Sequence, residues 1–390
     1  MGVPKALDPW VNSFYEIILD YVNEQIKSDW TYEGEMTYQN PKTGEVEKGT
    51  AKRSDEITVP GNEVMHLMIE KNGFSDLNDF IKSDIFTSLP LWRPEISFTI
   101  TGIPDQVYEN EKENPISARI GADLDKSLST FGKIKVLSKL DFQFDIVVSL
   151  DGPSNKFSSE LKSSIAHELL HGYQKYKQLE KGKAGHYGKE TALNSLTQIP
   201  LLSEVEIDSW KKFMYLVYLH LSFEINARIT ELYHKLNEKG VNTKEEFLKE
   251  IKKSHIWSQM KNLEEFEAKK FIESFSLPST EIDMSSGNPL EILSNALKGR
   301  FELQMLQQRG IDVSSKEEAL KSLVSIWDML LQAGNEQIKR ETGIDFNMLP
   351  VPQNAKKDPY LFFKFFEDRF HKNAEKWKRK IYRLGSLLIK

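Results

Sequence analysis

The chain has 390 residues, enough for two or three domains and a sizeable core. Hydrophobic residues make up 39% and charged residues 28%, the balance of a soluble globular protein; a formal charge of −6 gives no reason to expect nucleic acid as a partner. Cysteine is absent, which excludes disulfides, thiolate metal sites and a cysteine nucleophile, so a transition metal would have to be held by His, Asp or Glu.

The opening residues, MGVPKALDPW, lack the basic region and apolar core of a signal peptide, and Ala6 stands where a myristoylation signal wants Ser or Thr. The longest apolar stretch, FMYLVYLHLSF at 213–223, is too short to span a bilayer. A cytoplasmic protein without a transmembrane segment is therefore expected.

From Pro9 to Lys27 the apolar residues Trp10, Phe14, Ile17, Ile18, Tyr21 and Ile26 recur near one helical face. WTYEGEMTYQ and EVEKGTAKR flank the turn sequence Asn40-Pro41-Lys42-Thr43-Gly44 and read as a polar hairpin. EISFTITGI (95–103), SARIGADL (117–124), GKIKVLSKL (132–140) and FQFDIVVSL (142–150) are rich in β-branched and aromatic residues and read as strands. A helix capped by Ser158 or Ser159 should follow, running to about Leu179. One long helix is expected over 207–239, stopped by Gly240, and another from Asn242 or Thr243 to about Phe275. The Pro-, Ser- and Gly-rich stretch 277–289 marks a boundary, and helical patterns continue beyond it. Strands early and helices late predict an α+β fold with a helical extension.

The stretch SSIAHELLHGYQKY, 163–176, carries the chemistry. His167 and His171 are four apart, so on a helix both imidazoles leave the same face, one turn apart. That spacing lets two nitrogens reach a single Zn²⁺ at about 2.0–2.1 Å. Glu168 follows the first histidine and is placed to take a proton from a water on such an ion. With eight histidines in the chain, H-E-x-x-H arises by accident in about one such chain in a hundred. The neighbours Ile165, Ala166, Leu169, Leu170 and Gly172 are uncharged, as a helix buried around a metal site requires.

His167-Glu168-Leu169-Leu170-His171 resembles the motif of the zincin metallopeptidases. The metzincin branch wants Gly and His where this chain has Gln174 and Lys177, which excludes it. The gluzincin branch takes its third ligand, a glutamate, from a later helix, and Glu224 in SFEINARITE looks like that residue. The resemblance implies a zincin-like domain over 1–276: an N-terminal helix and small twisted sheet (1–157), then the active-site helix and a long third-ligand helix (158–276). An all-helical domain, 277–390, would follow. It also implies Zn²⁺ as cofactor and a peptide or protein as substrate. An endopeptidase is favoured because no Gly-x-Met-x-Asn element stands upstream. HELLH and EINAR together are similar to zincin-like proteins of tailed phages, which adds a virion or host cytoplasm as possible settings.

Around these ligands Arg228, at i+4 from Glu224, would pair with it or polarise the substrate carbonyl. It stands where many gluzincins place an aspartate that orients a zinc histidine, so that orienter has to come from elsewhere. His220, one turn before Glu224, is a rival ligand or an oxyanion group. Tyr187, Tyr215 and Tyr218 are alternative candidates for an oxyanion donor, between which the sequence does not choose. His186 reads as an exposed loop residue, and Glu231-x-x-His234 as an exposed helical face. A substrate strand would add to a sheet edge, with GKIKVLSKL and SARIGADL as candidates.

At the C-terminus, Phe362, Phe366, Phe370, Trp377, Ile381 and Leu384 share a helical face, with Lys376, Lys378, Arg379, Lys380 and Arg383 around it. This helix either docks on its own domain or offers a surface to a partner protein. Two further functional classes stay open: a catalytically silent zincin scaffold serving interaction or virion structure, and a zinc hydrolase that is not a peptidase.

Overall fold

The computed structural model describes residues 7–39, 46–110, 116–122, 128–131, 133–138, 140–181, 208–278, 289–308, 310–342 and 351–389. They form two compact units, one drawn from 1–181, 226–254 and 382–390, the other from 182–225 and 255–381. Most of the boundary stretch expected at 277–289 lies outside the described residues.

In the first unit, helix α1 (Asp8–Lys27) buries Trp10, Phe14, Ile17 and Ile18 as its periodicity predicts, and Val22 beside them, while Tyr21 and Ile26 of the expected face are half-buried. β1 (Tyr32–Gln39) and β2 (Val46–Arg53) pair antiparallel as the expected hairpin. β3 (Ile57–Val59) follows. Three short helices that periodicity does not announce come next: α2 (Gly61–Lys71), α3 (Leu77–Lys82) and α4 (Asp84–Ser88). Gly61 opens α2 because a Cβ there would lie 2.2 Å from the carbonyl oxygen of Arg93.

β4 (Leu91–Trp92), β5 (Glu95–Ile103), α5 (Asp105–Asn110), β6 (Ile116–Ala122), β7 (Leu128–Phe131), β8 (Ile134–Ser138) and β9 (Leu140–Ser149) complete the strand-rich part. Six strands form one sheet, ordered β1-β2-β5-β9-β6 with β3 also on β5. β5 and β9 run parallel at its centre, in register from Glu95–Asp141 to Ile103–Ser149. Their buried residues, among them Phe98, Ile100, Phe142 and Ile146, pack under α1, with the Phe14 and Phe142 rings 5.2 Å apart. β6 has one partner, β9, among the described strands and forms an edge; β8 lies between β4 and β7 in a second, three-stranded sheet. Within GKIKVLSKL, β4 pairs only at Leu137 and Ser138, whereas Ile134–Val136 pair on the β7 side among the described residues.

β9 ends in a tight turn through Gly152, whose φ of +120° suits only glycine. Ser154 then caps α6 (Asn155–Leu179), its side chain accepting from the Phe157 N–H. The cap is Ser154, one turn earlier than the expected Ser158 or Ser159, because the turn delivers the chain already aimed along the helix. Ser158 instead bonds Tyr15 of α1 at 2.7 Å.

The long helix expected over 207–239 is two helices, α7 (Asp208–Leu219) and α8 (Ser222–Glu238), broken at His220 and Leu221. The Leu221 N–H bonds the Tyr218 carbonyl three residues back, a tightened last turn, and the Ile225 N–H then bonds Leu221 to start the next helix. The Asn373 side chain donates to the His220 carbonyl that this break exposes. α8 ends at Gly240 (φ +66°), as anticipated. The helix expected to reach Phe275 is likewise three: α9 (Lys244–Lys253), capped by Thr243, α10 (His255–Glu264) and α11 (Ala268–Ser274). Extended backbone at Ser254 and at Glu267 separates them.

The second unit continues through α12 (Pro289–Gln308), α13 (Lys316–Thr342), α14 (Gln353–Lys356) and most of α15 (Pro359–Leu388). Its core is aromatic. The Phe213 ring stands 5.0 Å from Phe363 and 5.2 Å from Phe366, and Trp327 lies 5.2 Å from Phe366. Phe362, Phe366, Phe370, Trp377, Ile381 and Leu384 are all buried, which leaves the apolar face of the last helix occupied by its own chain. Lys376, Arg379 and Arg383 remain exposed on the other side. Phe366→Ala should remove several aromatic contacts at once and lower the unfolding free energy by about 3–5 kcal/mol, read by chemical denaturation.

Candidate metal centre

The turn after β9 starts α6 under the sheet, and residues 163–172 are buried without a break. A helix closed off on every face accepts polar side chains only where they meet one another or a ligand. His167, Glu168 and His171 are each 6% exposed. The two Nε2 atoms face each other at 2.9 Å, with the rings 4.6 Å apart and nearly perpendicular. Two donors bound at about 2.0–2.1 Å to one Zn²⁺ must lie within about 4.2 Å of each other, a limit this separation meets.

Glu224 sits in the first turn of α8 and is fully buried. One ligand atom from each of His167, His171 and Glu224 lies within 4.8 Å of the others, the single such group among the described residues. The Tyr218 hydroxyl donates to Glu224 Oε2 at 2.5 Å, fixing that carboxylate. Two nitrogens and a carboxylate oxygen are the donor set of an open, four-coordinate Zn²⁺ site with a position left for water. The residues present fit that ion.

Helix α8 runs antiparallel to α6. Glu160 of α6 meets Lys235 of α8 at 2.6 Å, and His167 meets Glu231 at 3.5 Å. Lys162 and Glu238 add a further link at 3.0 Å. Ala227, fully buried and small, lets the helices approach.

Other expected participants are distributed differently. His220 turns its Nδ1 to the Val217 carbonyl and its ring to Phe370, 5.5 Å away. The break between α7 and α8 takes it off the face that Glu224 occupies, so it is not part of the metal-competent group. Arg228 directs its guanidinium to Glu231 at 3.0 Å. Tyr215 is 43% exposed and accepts from Gln259, whereas Tyr218 is the tyrosine at the Glu224 carboxylate. His186 and Tyr187 lie outside the described residues.

The expectation of an exposed Glu231-x-x-His234 face is overturned: these residues are 2% and 6% exposed. Their helix packs on α6 and α1, and its polar positions serve that buried seam. Sequence reading gives Glu231 no part in the metal group and places it only in that exposed face. It lies seven positions after Glu224, two helical turns on, and that spacing is the one sequence signal for it.

No protein-family model, no curated protein and no solved structure matches this chain.

His234 offers a test of this packing. Burial pushes its pKa down to about 4, with Glu238 opposing and Lys162 reinforcing the shift. Asp8 stands 3.7 Å from its Nε2. The unfolded chain, titrating near the ordinary value of about 6.5, takes up the proton first, so stability is complete above that pH and falls as pH drops towards 4. Unfolding titrations should show a loss approaching roughly 3 kcal/mol by about pH 4, much reduced in His234→Gln.

Proposed function

We propose that this protein is a zinc-dependent peptide hydrolase of zincin type, with His167, His171 and Glu224 as ligands and Glu168 as general base. The observation that carries the reading is the buried convergence of those three ligands, joined to a carboxylate one residue from the first of them. The sequence motif alone supplies two ligands; the third arrives from a separate helix, which chance does not readily arrange.

A bound Zn²⁺ would supply Lewis acidity, activating water near neutral pH and polarising a carbonyl. The chain's own residues do the rest. Glu168 takes the proton of the attacking water and returns it to the departing amine. Its nearly complete burial excludes bulk water from that exchange. Tyr218 holds Glu224 in one orientation through its hydroxyl. The edge strand β6, paired with β9 on one side, is the place where an extended peptide would add by main-chain hydrogen bonds. A role for the exposed cations of the last helix in docking a partner protein is compatible with this reading, but its aromatic face is excluded by burial.

Metal analysis with peptide-library digestion tests the proposal. The purified chain should take up one equivalent of zinc, and His167→Ala, His171→Ala or Glu224→Ala should abolish that uptake. Glu168→Gln should keep the metal and lose about 10²–10⁴-fold in hydrolysis. A chain that binds no metal would sink the reading. A zinc-loaded chain that cleaves no peptide, itself included, would favour a silent scaffold, and one that hydrolyses other bonds a different hydrolase.

A further inference from the structure

We propose that Glu231 is the positioning residue of the metal centre: clamped by Arg228, it accepts the Nδ1 proton of His167 and so turns Nε2 towards the ion. The inference rests on the ligand reading above and concerns what orients one of those ligands.

The geometry is local to α6 and α8. Glu231 Oε2 lies 3.5 Å from His167 Nδ1 and 3.0 Å from Arg228 Nη1. Its other oxygen faces Lys235 Nζ at 3.7 Å, and that ammonium is tied in turn to Glu160 at 2.6 Å. A carboxylate that is 2% exposed would be costly alone, and two cations stand against it, Arg228 and Lys235. An ionised carboxylate only accepts hydrogen bonds, so the imidazole nitrogen turned towards it is the one that carries the proton. With Nδ1 protonated, Nε2 holds the lone pair, and Nε2 is the atom that faces His171 across 2.9 Å. The 3.5 Å separation from Glu231 is in the ion-pair range and longer than an ordinary hydrogen bond.

Arg228 thereby acquires a different role from the one its spacing suggests. Its Nη1 faces Glu231, three residues on along the same helix, so it acts on the centre through that carboxylate. An orienting acid two turns beyond the ligand glutamate replaces one that would stand a single turn beyond it, where Arg228 is.

The full chain is tested by zinc affinity in competition with a chromophoric chelator, and by the visible spectrum of the Co²⁺ form. Glu231→Gln keeps the shape, removes the charge and should weaken zinc binding by about 10–100-fold while shifting the cobalt bands. Arg228→Met should move both readouts in the same direction by less. Glu160→Gln, in the same buried network but not touching His167, should stay close to the unaltered chain. An unchanged affinity and spectrum in Glu231→Gln overturns the proposal and leaves the ligand set standing. An equal loss in Glu160→Gln overturns it too, since general loosening would then suffice. If Glu231→Gln fails to fold, Arg228→Met decides by the same two readouts. An unaltered chain that takes up no zinc overturns this inference together with the ligand reading.

Discussion

Two imidazoles whose Nε2 atoms face each other at 2.9 Å, on a helix buried without a break over 163–172, set the terms for what surrounds them. Nitrogen lone pairs and carboxylates taken out of water cost several kcal/mol each unless opposite charge or hydrogen bonds replace the solvent. The chain meets that cost on one side with Arg228 and Lys235 around Glu231, and with the Tyr218 hydroxyl on Glu224. His167, His171 and Glu224 form a buried group that could hold a metal ion.

Everything in the strand-rich unit serves to hold α6 still. The parallel pair β5–β9 forms the middle of the sheet, and β9 leads through Gly152 and the Ser154 cap straight into the helix. α1 closes over it, with Tyr15 bonded to Ser158, and α8 is locked alongside by ion pairs at 2.6 and 3.0 Å. Such pairs contribute little at a surface, but here they are largely buried and fix register between two helices. A shift of one turn along α8 would carry Glu231 away from His167 and Glu224 out of the ligand group.

The second unit obeys a different rule. Its stability comes from ring-on-ring packing around Phe213, with α15 contributing Phe362, Phe363, Phe366 and Phe370. Aromatic side chains bury large areas with few rotatable bonds, so the described residues of this unit pack as helices around a ring cluster. Among the described residues no helix is long and apolar enough to cross a membrane.

The sequence by itself determined the local features: the amphipathic α1, the hairpin, the central strands and the His167–Glu168–His171 face of α6. Each depends on spacing within a dozen residues, where backbone geometry alone decides which side chains share a face. Glu224 was reachable only through resemblance, because the 53 positions separating it from His171 carry no geometric rule of their own. Tertiary structure alone decided the rest. The break at His220, which periodicity runs straight through, depends on a carbonyl partner 153 residues away at Asn373. The burial of Glu231 and His234 depends on what α8 packs against, since a polar face looks the same in sequence whether water or another polar face covers it.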